Sequence, residues 1–240
     1  MTYPQAAGTE CLTVPEIFTI VPGHLQFHEF QCVEGSLENT REIVVNIAIQ
    51  IIAANGRMGQ DRACVFPASG GYVFVLADGA GGVGGGDLAA DAVVDAARSC
   101  ALISPESCVA TLEDLDIRLM SIGQTTAIFA CIAAGHIWGA SVGDSSAWMI
   151  SPSNLVDLTS DQIRKPLAGT GAARPVMFGP RPFFGRLLIG SDGLFKYVSE
   201  ARIRQLSSTQ SLESLPEALV EAARIRSGAL HDDIAVIVAE

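Results

Sequence analysis

Four aspartates in this chain stand where apolar runs end or begin. Asp78 closes the run Y-V-F-V-L-A-D, Asp192 follows R-L-L-I-G-S, Asp61 precedes R-A-C-V-F, and Asp232 precedes D-I-A-V-I-V-A. A run such as Val73 to Ala77, apolar throughout and rich in β-branched and aromatic residues, fits a strand buried on both faces. An acid at its end therefore sits at the lip of a core, where an unpaired carboxylate costs on the order of several kcal/mol unless a cation or donors meet it. In a sheet with antiparallel neighbours, the end of one strand and the start of the next share an edge, so all four acids can converge. Converging carboxylates repel one another, and two hard divalent ions held by oxygen ligands are their natural resident. The competing reading is four unrelated solvated turn acids, because aspartate is favoured in turns.

Beside Asp78 the chain reads D-G-A-G-G-V-G-G-G-D. These glycines leave the backbone bare, so that a main-chain carbonyl could approach the same ion or a phosphate closely. A strand, a glycine turn and a helix also describe nucleotide-binding modules, but the lysine that P-loops use is missing here.

The chain has 240 residues, enough for one domain or one domain with an extension. Its formal charge of −11 argues against nucleic acid or an anionic membrane as the main partner. An acid-rich surface suits divalent cations, although solubility alone would also account for it. The six cysteines form no C-x-x-C and several lie in apolar runs, as expected of reduced thiols in a cytoplasmic protein. The start of the chain lacks a basic segment followed by an apolar one, and no run approaches the roughly 18 apolar residues of a membrane span.

Residues 1–41 read as an extension of unknown role and 42–240 as the main domain. Strands are expected over Glu42 to Ala54, Ala63 to Phe66, Val73 to Ala77, Ala147 to Ile150, Arg186 to Ile189 and Ile234 to Ala239. Thr125 to Ala133 and His136 to Val142 predict a hairpin through Ala134-Gly135. Asp87 predicts the cap of a helix from Leu88 to about Leu102, and Ser104-Pro105-Glu106 opens a second to about Met120. Two more helices are expected over Ser199 to Leu206 and Leu212 to Arg226, whereas Pro152 to Pro182 reads as loop. Grouped strands with helices between them predict an α+β layered fold.

D-G-A-G-G at 78–82, T-T-A at 125–127, V-G-D-S-S-A-W at 142–148, S-D-G-L-F at 191–195 and D-D-I-A-V-I-V at 232–238, in that order, resemble the metal-dependent serine/threonine protein phosphatases of the PPM (type-2C) family. The resemblance covers about residues 43–240. It implies a central antiparallel β-sandwich flanked by helices, in α-β-β-α layers, with two Mg²⁺ or Mn²⁺ ions at one end. Matched by position, Asp78 is the acid that bridges the metals, the Gly79 carbonyl is a ligand of one, and Asp192 and Asp232 hold the other. Asp61, in G-Q-D-R, matches the acid of the family's N-Q-D or N-E-D loop and completes the ligand set. The resemblance further implies a phosphorylated protein as substrate, attacked by water activated at the metals, and a monomer.

The chain also departs from the family's pattern. The place of the phosphate-binding arginine is Gly56 here, and Arg57, one residue on, is the candidate. Val83 stands where bacterial members often carry histidine. The stretch between Asp144 and Asp192 is short, which implies a reduced flap. Lys196 replaces an aspartate that helps hold a third, weaker metal, so that third site should be weakened. These departures favour a rival reading, a catalytically weak relative that binds phosphoproteins as a regulatory module, while the four aspartates favour the enzyme. His231, beside Asp232, could serve at most as a nearby general acid.

Overall fold

In a computed structural model of the chain, residues 26–34, 41–54, 59–68, 70–82, 84–99, 101 and 103–240 are described, with side chains from residue 45 onward. Two antiparallel sheets form the centre. The first runs β1 (Gln26–Glu34), β2 (Arg41–Ile52), β11 (Ile234–Ala239), β10 (Arg186–Gly190), β7 (Ser146–Ile150) and β8 (Leu155–Asp157). The second runs β3 (Asp61–Ala68), β4 (Gly71–Asp78), β5 (Ala127–Ala133), β6 (His136–Val142) and β9 (Val176–Pro182). Alternation along the strands turns one face of each sheet toward the other, so that Ile47, Ile49, Phe74, Leu76, Ile128, Met149, Leu187 and Ile237 fill the space between them.

The opposite faces are apolar too, and each is covered by helices. On the second sheet, α1 (Gly86–Ser99) and α2 (Pro105–Leu119) bury Val93, Leu112 and Leu115 against Val75, Phe129 and Cys131. On the first, α4 (Glu200–Thr209) and α5 (Leu215–Ala223) bury Ile203, Leu206 and Leu219 against Ala48, Leu188 and Val236. Three apolar layers thus bind four structural ones, and the expected α-β-β-α sandwich is what the chain forms. No helix among the described residues is long and apolar enough to cross a membrane.

Local signals in the sequence account for several boundaries. Ser104 caps α2 by accepting from the Ser107 amide, and the Ser107 hydroxyl accepts from the Ser104 amide, a reciprocal cap in which serine replaces the usual glutamate. The β5–β6 hairpin turns through Ala134 (φ 49°) and Gly135 (φ 70°), both left-handed as a two-residue turn of this hand requires.

Other expectations are corrected. Within the stretch read as an extension, Gln26–Glu34 pairs along its whole length with β2. The segment read as loop, Pro152 to Pro182, contains β8 and β9, each at a sheet edge. Edge strands tolerate the prolines at 180 and 182 that hid β9 from a periodicity reading. The last helix spans only Leu215–Ala223, because the Ser211 and Ser214 hydroxyls organise a turn before it and Arg224 leaves the helical conformation after it.

Candidate metal centre

Strand order decides which acids meet. Asp61 opens β3 and Asp78 closes β4, and the two are direct cross-strand partners. In the other sheet, β10 and β11 are neighbours, which brings Asp192, the first residue of the short helix α3 (Asp192–Phe195), beside Asp232, just ahead of β11. The two sheet ends face each other across a cavity of about 320 Å³. Asp61, Asp78, Gly79, Asp144, Asp192, Asp232 and Asp233 line it, together with Gln60, Thr126, Lys165 and Lys196. All the acids and the glycine singled out as metal ligands therefore lie around one space. Arg57 lies outside the described residues, as does Val83.

Electrostatics divides these acids. Asp61 is 2% exposed, and its Oδ2 is buried without a hydrogen-bond partner. Burial pushes its carboxyl well above the usual carboxylate range, against the lowering effect of a hydrogen bond with Ser191. Asp78 is raised further still, by burial first and then by the charges of Asp61 and Asp192. Asp232, exposed at the rim, is raised by partial burial and by Asp192. Asp192 instead meets the ammonium of Lys196, whose own pKa is raised chiefly by that hydrogen bond. Asp144 faces Arg164 at 3.4 Å.

This donor set fits hard divalent cations in kind, being all oxygen, net negative and carrying an orphaned buried carboxylate oxygen that no protein group satisfies. Among the described residues no three His, Cys, Asp or Glu side chains already converge as a ligating group. The carboxylates share the cavity, and Asp192 is turned toward Lys196.

Several residues that position the acids were not assigned a role from sequence. Thr126 Oγ1 accepts from the Asp78 amide at 3.0 Å and pairs with Ser145 Oγ at 2.7 Å, while Thr125 Oγ1 donates to the Asp78 carbonyl. The T-T and G-D-S-S motifs therefore brace the end of β4. Ser191 Oγ accepts from the Ala235 amide and ties the end of β10 to β11. Asp233 accepts from the amides of Ala54 and Gln60, both at 2.9 Å, and so grips the two sides of the β2–β3 connection. Asp116, in the last turn of α2, accepts four amides from Gly169, Thr170, Gly171 and Ala173, anchoring the segment that runs past the cavity. Only the hydroxyl motifs carried a signal; nothing around Asp116 announces a partner more than fifty residues away.

The glycine turn has a packing explanation. A Cβ on Gly79 would stand 2.4 Å from the Gly86 carbonyl oxygen, and one on Gly85 (φ 71°) would meet the Ile122 carbonyl at 2.0 Å. Gly79, Gly81 and Gly84 do have the G-x-G-x-x-G spacing, but β4 lies between antiparallel neighbours, and a dinucleotide turn requires a parallel β-α-β unit. Arg62 is committed elsewhere, to Asp91 of α1 at 2.6 Å and to the carbonyls of Gly59 and Asp61. His231 stacks on Tyr197 with ring centres 4.8 Å apart.

No protein-family model and no curated protein matches the chain. Solved structures do. A bacterial serine phosphatase superposes with a TM-score of 0.68 at 22% identity, over 90% of this chain and 97% of that one. RsbX in complex with magnesium gives 0.64 at 17% identity, over 88% and 98%. The catalytic domain of the serine/threonine protein phosphatase PstP, in complex with two manganese ions, gives 0.58 at 18% identity, over 90% and 97%. The chain has the fold of these phosphatases. The fold implied by the resemblance in sequence is thus the fold observed.

Proposed function

We propose that this protein is a phosphatase that uses two divalent ions, Mg²⁺ or Mn²⁺, to remove phosphate from phosphoserine or phosphothreonine in a protein substrate. The observation that carries the reading is the pair Asp61–Asp78, a buried acid with an orphaned oxygen facing a half-buried one, set in one cavity with Asp192 and Asp232. Its fold, shared with phosphatases seen with magnesium or manganese, supports the same conclusion.

In this reading Asp61, Asp78 and the Gly79 carbonyl hold cations from one sheet, and Asp192 and Asp232 hold them from the other. Cations so held supply charge stabilisation at phosphoryl oxygens and acidify water. Thr126 and Ser145 keep the Asp78 backbone in place, and Asp233 holds the amides of Ala54 and Gln60. Arg57 clamps the phosphate, so that Arg57→Ala raises KM for a phosphopeptide more than it lowers kcat.

The rival reading, a weakly active relative that binds phosphoproteins, draws on one observation, the ammonium of Lys196 resting on Asp192. Hydrolysis of p-nitrophenyl phosphate and of a phosphothreonine peptide, with Mn²⁺, with Mg²⁺ and with chelator, separates the two. Turnover that needs the metal and disappears with chelator is the expected result. Turnover indifferent to chelator overturns the metal mechanism, and tight phosphopeptide binding without turnover in either metal favours the rival.

A further inference from the structure

Helix α3 is a single turn with Asp192 at its start and Lys196 at its C-cap, and the Lys196 amide donates to the Asp192 carbonyl at 2.9 Å. Backbone geometry therefore places both side chains on one face of the turn. The acid precedes the base by four residues, the favourable order for such a pair. The Lys196 ammonium meets Asp192 Oδ2. It lines the metal cavity and also an adjoining cavity of about 380 Å³, two spaces that share Asp144, Asp192 and Lys196 as their common wall. No side-chain cation pairs with Asp61 or Asp78 among the described residues, so the acids of the two sheets meet an incoming dication on unequal terms.

We propose that Lys196 is a built-in competitor for the metal at Asp192: one ion binds tightly on the Asp61–Asp78 side, and the second binds on the Asp192–Asp232 side only by displacing the ammonium. The proposal rests on the two-ion reading above. A carboxylate oxygen engaged by an ammonium has lost part of its basicity toward a cation, and the displaced charge stays tethered a few ångströms away, where it repels a dication. A partly exposed ion pair of this kind shifts an equilibrium by up to about fivefold, and the residual repulsion brings the expected handicap to roughly tenfold. The device would order the filling of the centre, making the second ion responsive to metal concentration while the first is already bound.

The test is a calorimetric titration of the metal-free full chain with Mn²⁺, with free Mn²⁺ counted by electron paramagnetic resonance, for wild type, Lys196→Met and Lys196→Arg. The Lys196 side chain is 43% exposed, so its removal opens no core, and thermal melts confirm the fold of each variant. Wild type should bind two ions in separate steps. Lys196→Met should tighten the weaker step about tenfold and leave the tighter one within about twofold, while Lys196→Arg retains the weak step. Identical constants in wild type and Lys196→Met overturn the competitor and leave the two-ion reading standing. A change confined to the tighter step also overturns it, by placing the ammonium against the other ion. Failure of both wild type and Lys196→Met to bind Mn²⁺ overturns the competitor together with the two-ion reading.

Discussion

Asp61 and Asp78 face each other in one sheet, while Asp144 and Asp192 stand at the rim on the side of the other, and the same residue type meets two different electrostatic fates. In the first pair Asp61 is buried and Asp78 half-buried, the two are directly opposed across β3 and β4, and neither forms an ion pair among the described residues. The second pair has cations of the chain's own, Arg164 on Asp144 and Lys196 on Asp192. Opposed like charges destabilise a strand pair, so an ionised Asp61–Asp78 pair bears a cost that a retained proton or an outside cation relieves. In the second pair each acid already has a counter-charge, and the basic partners are exposed, which keeps such ion pairs individually weak. On the two-ion reading, the Asp61–Asp78 half of the centre gains more from a bound cation than the Asp144–Asp192 side does.

Asp78→Asn gives the sharpest break in this contrast. On the two-ion reading, losing Asp78 as a ligand costs several kcal/mol of transition-state stabilisation, or roughly a thousandfold in kcat on a phosphothreonine peptide at saturating Mn²⁺. The same substitution in the metal-free protein should raise Tm by a few degrees, since it removes one of two facing acids, whereas Asp192→Asn, which loses its partner Lys196, should not. Near-normal turnover by Asp78→Asn, or a lower Tm without metal, would remove Asp78 from the role given to it.

A smaller effect follows from pH. Burial, above all, lifts the carboxyls of Asp61 and Asp78 well above the ordinary carboxylate range. The folded state then keeps protons that the unfolded chain has released, so stability is highest below the ordinary carboxylate range near 4 and falls as pH climbs toward those raised values. Bound Mn²⁺ removes that penalty. The gain in Tm on adding Mn²⁺ should therefore exceed the gain at pH 5 by at least about 3 °C when measured at pH 8. Equal gains at both values would mean that the two acids are ionised before metal arrives.

The smallest expected effect is at the rim. Arg164 has a side chain 69% exposed and touches Asp144 at 3.4 Å, so Arg164→Ala should change kcat/KM and Tm by less than about twofold and 1 °C. A tenfold loss of kcat/KM would show that Arg164 handles substrate, and the rim would no longer be the passive half of the comparison.

Much of this was legible in the order of residues. Apolar runs bounded by acids marked β3, β4, β10 and β11, Ser104-Pro105 marked the start of α2, and Ala134-Gly135 marked the hairpin. Even the contact of Lys196 with Asp192 follows from local spacing, because four residues in a helical turn bring two side chains together without help from the rest of the chain. The edge strands β1, β8 and β9 were missed, β8 for its brevity and β9 because its prolines and exposed positions erase the period that a buried strand shows.

Tertiary structure alone decided which acids share a space and what grips the segments around them. Asp61 and Asp232 are neighbours in the cavity only because β2, beside β11, leads into β3 of the other sheet. Asp233 holds the Ala54 amide across 179 positions of chain, and Asp116 holds Gly169 across 53. Periodicity reports which face of an element is buried, through interactions a few residues long. The partner of that face is set by strand order and sheet packing, where a carboxylate meets an amide that nothing in its own neighbourhood specifies.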